Sequence, residues 1–223
     1  MKRVIVFSLL TVFVLTASAQ DFKRIRLGFR AIPTFSWIKP DVQNVESDGM
    51  VARIGYGVNG EFYFSPNYAF ATGFAVQYTG GKLEYPATVN SVVGEINRRY
   101  YFQDLEIPLA IKMKTNEIGY MTYFGTFGLA AGFNLKAKAD QTFTFGTQND
   151  FQEDLDVKSD ISFIKTSLIL GLGTEYNIAG NTSIYAGVTF MNGFTDVLKG
   201  KTADGKDLKG YTKCLELSLG IMF

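Results

Sequence analysis

The residues equipped for chemistry are ionisable ones on the polar side of alternating segments: Arg26, Arg30, Arg53, Glu61, Glu106, Lys112, Lys165, Glu175 and Glu216. Five are basic and four acidic, a near balance of sign. Facing one another in a narrow space, such groups neutralise in pairs, whereas unpaired charges out of water are costly. This pattern predicts a structural ion network, with Arg26 near Glu61 and Arg30 near Glu216. The functional alternative for the same residues is a selective ion path.

Acid–base and nucleophilic catalysis lack their usual partner. The chain contains no His, so neither a Ser–His nor an Asp–His pair can be assembled. Asp104 and Glu106 are carboxylates two apart, but they lie among basic residues and fit the network better than a catalytic pair. A single cysteine, Cys214, excludes an intrachain disulfide and reads as a small inward-facing residue.

Three further motifs carry weaker signals. The segment 137–161 holds Asp140, Asp150, Glu153, Asp154, Asp156 and Asp160. Such spacing suits a hard cation in principle, yet it matches no EF-hand and reads as a solvated acidic loop. Lys199, Lys201, Lys206 and Lys209 make the segment 196–212 basic, which suggests attraction to anionic lipopolysaccharide; the alternative is a solvated hairpin with Asp204-Gly205 at its tip. Gly55, Gly57 and Gly60 spell a nucleotide fingerprint by letters alone, inside a strand pattern with no helix after it. No catalytic, cofactor-binding or metal-binding residue is assigned.

The elements that must position these side chains are strands. The last stretch is the clearest: Leu215, Leu217, Leu219, Ile221 and Phe223 alternate with Cys214, Glu216, Ser218, Gly220 and Met222. The same period-two pattern covers roughly 24–37, 51–64, 69–79, 100–114, 120–136, 162–176 and 182–194. Between them, connections alternate long (39–50, 80–98, 137–161, 196–212) and short. Pro33 and Pro108 lack the N–H that a central strand needs, so each predicts a bulge or a local break in pairing.

Which face points outward follows from volume and charge. The strand charges share one face with the Gly and Ala residues, while Phe29, Phe35, Trp37, Phe62, Phe64, Phe70, Phe74, Phe127 and Phe133 crowd the other. Eight strands enclose a lumen barely wide enough to be filled by side chains, so the bulky set cannot be inside. A charge facing lipid near the midplane costs about 2–4 kcal/mol. The fold expected is all-β: a transmembrane, up-and-down antiparallel β-barrel of about eight strands, with short periplasmic turns and long external loops.

Residues 1–19 read as a cleaved secretory signal. Lys2 and Arg3 precede the apolar run Val4–Leu15, and Ala17-Ser18-Ala19 forms the cleavage site before Gln20. The barrel domain is then 20–223, with 20 basic and 21 acidic residues, which gives no support for nucleic-acid binding.

The run Tyr101-Phe102-Gln103-Asp104-Leu105-Glu106-Ile107-Pro108-Leu109-Ala110-Ile111-Lys112 resembles the "YLEIPLLLK" signature of the PorT-like outer-membrane β-barrel family of Bacteroidetes. Gly171-Leu172-Gly173-Thr174-Glu175-Tyr176 resembles a second strand of that family. Phe223 resembles the terminal aromatic read by barrel-assembly machinery. The resemblance implies a Gram-negative outer membrane as the location, and its namesake is linked to type IX secretion. The expectation is therefore a monomeric, non-enzymatic scaffold with a charge-plugged interior, meeting lipopolysaccharide, the assembly machinery and a surface or secretion-system protein. The second expectation is a narrow pore or an accessory of a secretion system.

Overall fold

The computed structural model describes residues 24–89, 91–199 and 208–223. The expected signal segment 1–19 lies outside them, as do Lys201, Asp204, Gly205 and Lys206. Among the described residues ten strands form: β1 (Ile25–Pro40), β2 (Glu46–Ser47), β3 (Val51–Ser65), β4 (Tyr68–Val89), β5 (Val92–Lys114), β6 (Met121–Phe145), β7 (Gln148–Asp156), β8 (Ile164–Ala179), β9 (Thr182–Gly193) and β10 (Gly210–Met222). Eight of them close a ring in the order β1, β3, β4, β5, β6, β8, β9, β10, every pair antiparallel. The seam joins first to last strand, with Phe29 opposite Ile221 and Phe35 opposite Leu215. Phe223 donates its main-chain N–H to Leu27 O at 2.8 Å just past that seam. β2 and β7 are short additions on β4 and β6.

The apolar set faces outward, as its volume required. Phe29 is 62% exposed, Ile54 66%, Phe74 57% and Leu172 73%, and together they make a continuous belt that only lipid can cover. On the lumen side small residues let the strands and side chains fit. A Cβ on Gly171 would overlap the hydroxyls of Thr126 and Thr189. The β5–β6 and β8–β9 turns use left-handed glycines, Gly119 at φ 66° and Gly180 at φ 58°. Pro33 and Pro108 break pairing locally, as expected, without shifting register. The β1–β10 ladder skips Ile32 and Pro33, and the β4–β5 ladder skips Ile107 and Pro108.

The two segments 80–98 and 137–161, expected as loops, are largely strand. β4 and β5 run on to Val89 and Val92, and β6 runs on to Phe145 before turning into β7. The alternation never stops there; its polarity inverts. On β4 the lumen side changes from Ala75, Gln77 and Thr79 to Leu83, Tyr85 and Ala87, while Lys82 and Glu84 turn outward. On β6 a bulge opposite Gln103/Asp104 switches the parity, so Ala137, Ala139 and Phe143 point inward where Asn134 did below. Above the membrane the outside is water and the inside is the greasy face. The outcome is a second, extracellular core of Ile38, Leu83, Tyr85, Ile96, Tyr100, Phe102 and Phe143, roofed by Val157, Ile161, Val197, Leu198 and Leu208 from the loops. Main-chain bonds lock the roof: Ser162 N to Val197 O at 2.9 Å, Val197 N to Gly210 O at 2.9 Å and Lys199 N to Asp160 O at 2.8 Å.

Leu83 is fully buried in this cap. Leu83→Asp buries a carboxylate there at a cost of several kcal/mol, and is expected to make the roof loops protease-sensitive while the barrel keeps its heat-modifiable gel mobility. Burial pushes the phenols of Tyr85 and Tyr100 above their ordinary value. Because the folded cap holds their neutral forms, their contribution is complete below about pH 10 and falls as pH rises beyond it. Measured against the base-catalysed intrinsic rate, the exchange protection of 83–89 and 91–102 should fall above pH 10 before that of the barrel amides.

Candidate functional site: the barrel interior

The interior groups expected from the sequence occupy three levels along the barrel axis. At the periplasmic end, Glu175 on β8 is bracketed by Arg26 Nη1 at 2.7 Å, Lys112 Nζ at 2.6 Å and Lys114 Nζ at 2.7 Å. Lys112 also pairs with Glu61, and Arg26 lies 3.7 Å from Glu61, its register partner across β1 and β3. Tyr63 donates to Glu61 Oε2 at 2.5 Å, and Ser183 bonds the Arg26 guanidinium. Glu61 and Glu175 are 2% and 3% exposed, so removing these partners would leave buried charge uncompensated. Lys112 lies over the Phe124 ring at 4.1 Å, an aromatic that points into the lumen.

Midway up, Glu216 on β10 accepts from Gln77 Nε2 at 2.5 Å, and Gln77 in turn accepts from Thr34. Arg30 lines a cavity of about 90 Å³ together with Glu106, Glu216, Asn59 and Tyr185. The expected Arg30–Glu216 pair does not form at salt-bridge distance among the described residues; the buried Nε and Nη2 of Arg30 face the cavity without a protein acceptor. At the upper level Lys165 Nζ meets Asp104 Oδ2 at 2.8 Å and lies 4.1 Å from the Phe102 ring centre, and Asn134 Nδ2 donates to Asp104 Oδ1 at 2.7 Å.

Arg53 departs from the expected network. β3 and β4 pair only as far as Tyr56 opposite Val76. Beyond that point β4 leans toward β1, where Gly80 N donates to Ser36 Oγ at 2.8 Å. Arg53, on the free end of β3, fills the gap this leaves, with its guanidinium 5.3 Å from the Tyr78 ring and 5.2 Å from the Tyr101 ring. Strand alternation puts Arg53 on the inward face with the network, but through the split between β3 and β4 its guanidinium reaches the outward-facing rings of Tyr78 and Tyr101, and that split cannot be read from period-two spacing.

Asp104, expected in the network beside Glu106, is there, paired with Lys165. Lys114, Tyr63, Gln77, Asn134 and Phe124 also belong to the interior and were not among the expected network residues. Lys114 was detectable, since it sits on the polar face two residues from Lys112. With them the lumen holds Arg26, Arg30, Lys112, Lys114 and Lys165 against Glu61, Asp104, Glu106, Glu175 and Glu216, an equal number of each sign.

A closed antiparallel ring with a greasy exterior and a neutralised lumen is the architecture of a bacterial outer-membrane barrel. Residues 17–199 match the outer membrane protein beta-barrel domain family. The chain belongs to that family. The barrel accordingly resides in the outer membrane. No curated protein sequence matches it significantly. Among solved structures it is similar to Neisserial surface protein A (10% identity, 90% of this chain and 96% of the other, TM-score 0.46). It is also similar to OprG of Pseudomonas aeruginosa (15%, 89% and 94%, TM-score 0.47) and the attachment invasion locus protein Ail of Yersinia pestis (16%, 91% and 100%, TM-score 0.39).

Glu175→Gln removes the carboxylate that three cations share. Leaving buried charge uncompensated costs about 3–5 kcal/mol, so the barrel should unfold at markedly lower urea concentration in detergent. Glu117→Gln, in the turn beneath, should leave the midpoint unchanged.

Proposed function

We propose that this protein is a non-enzymatic outer-membrane scaffold, closed to ions, that carries a tall extracellular sheet for interaction at the cell surface. The observation that supports it is the double closure of the lumen. The ion network fills the membrane section, and the apolar cap of Leu83, Tyr100, Phe102, Val197 and Leu198 seals the outer mouth. An ion entering from either side meets neutralised side chains or a dry core, and neither replaces its hydration shell. The absence of His from the chain argues in the same direction against acid–base hydrolysis. Phe223, at the seam with β1, serves in this reading as the signal for barrel-assembly machinery.

A second reading, an accessory of type IX secretion, rests on the PorT-like run Leu105-Glu106-Ile107-Pro108-Leu109. In this fold those residues build the barrel wall and place Glu106 in the lumen, work that any small barrel requires. Crosslinking in intact outer membrane and recovery of secretion subunits would favour that reading over the scaffold.

Planar-bilayer recording of the purified barrel is expected to show no steady conductance at physiological salt. A reproducible open level of tens of picosiemens or more would replace the scaffold with a pore.

A further inference from the structure

Two grooves on the outer wall lie one above the other along β4 and β5. The lower one is apolar, about 720 Å³, and crosses β10, β1, β3 and β4 to reach Leu105 on β5. Phe29, Tyr56, Val58, Phe74 and Val76 form its sides, while Ala31, Gly57 and Gly220 keep its floor low. The upper one, about 510 Å³, is lined by Arg53, Tyr78, Tyr101, Gln103, Lys136 and Lys138, with Asp140, Glu153 and Asp154 at its far end. They adjoin through strand register. On β4 the next outward residue after Val76 is Tyr78, and on β5 the next after Leu105 is Gln103, opposite Tyr78.

The charges of the upper groove are unequally used. Lys138 pairs with Asp154, and Asp140 accepts from the Tyr101 hydroxyl at 2.9 Å and from Asp154 N at 3.1 Å. Among the described residues neither Arg53 nor Lys136 has a carboxylate within salt-bridge distance. Arg53 is held in place between two tyrosine rings, so its planar fork is pre-oriented. Free cations set on an aromatic girdle, directly above an apolar trough, complement an acyl chain that carries a phosphate at its head.

We propose that the β3–β4–β5 wall is a binding site for a phosphorylated glycolipid of the outer leaflet: Arg53 and Lys136 hold a phosphate, and one acyl chain lies in the trough below. The site is independent of the scaffold reading, since it lies outside the lumen. It also differs from the lysine-rich segment 196–212, whose described lysines, Lys199 and Lys209, line neither groove.

The test is native mass spectrometry of the detergent-solubilised barrel titrated with hexa-acylated, bis-phosphorylated lipid A, with its dephosphorylated form and with phosphatidylethanolamine. Phosphorylated lipid A should be retained about tenfold or more tightly than the other two, the worth of one charge-assisted contact. Arg53→Ala combined with Lys136→Ala should remove that preference, and Lys199→Ala with Lys209→Ala should preserve it. Ala31→Trp, which fills the trough without changing charge, should weaken lipid A by several-fold. Where the double variant fails to assemble, Lys136→Glu at an exposed position serves in its place. Equal retention of the phosphorylated and dephosphorylated lipids, or wild-type retention by the headgroup variants, would overturn the site.

Discussion

Hydrocarbon leaves neither a main-chain N–H nor an ionised side chain without a partner, and this fold is the answer to that constraint. The ring closes because an open edge of β1 or β10 would expose a row of unpaired amides to lipid. Its charges turn inward for the same reason, and once inside they must neutralise each other in a space with little water. The three levels of the lumen follow: a bracketed Glu175 near the periplasm, a hydrogen-bonded Glu216 in the middle, a Lys165–Asp104 pair above. Arg30 is an exception: its buried Nε and Nη2 have no protein acceptor among the described residues.

The same constraint explains why the cap is apolar. One strand passes from lipid into water without a break, and its two faces exchange solvents at that height. Gln77 and Thr79 belong to the polar lumen, while Leu83 and Tyr85, four and six residues further from Thr79, belong to a dry core. A barrel in lipid is inside-out, whereas its extension into water is right side out. β5 contains both regimes, with Lys112 and Glu106 in the first and Phe102, Tyr100 and Ile96 in the second.

Much of this was legible in the letters. Eight ring strands, the lipid-facing set and the Arg26–Glu61 pairing follow from period two and from the volume of Phe against Gly. The extensions 80–98 and 137–145 were not, because a reading tuned to apolar-outward strands meets Lys82 and Glu84 and reports a loop. The inward run Leu83, Tyr85, Ala87 carried the missing signal, two residues apart like any strand. Arg53 was unreadable for a different reason: where β3 stops pairing with β4 depends on how β4 leans on β1, a tertiary matter. The Glu175 triple bracket sits between these cases, since Lys114 was visible on the right face but its reach was not.

β5 is unbroken from Lys114, inside the charged lumen, to Val92 at the far tip. At about 3.3 Å per residue the part beyond Phe102 alone spans roughly 33 Å along the strand. β5 thus ties the summit formed by β4–β5 and β6–β7 to the membrane section by continuous backbone, beside the β6 bulge opposite Gln103/Asp104. Any body that docks on it is held at a defined standoff, and a lateral load at the summit becomes torque on the same strand that carries Lys112.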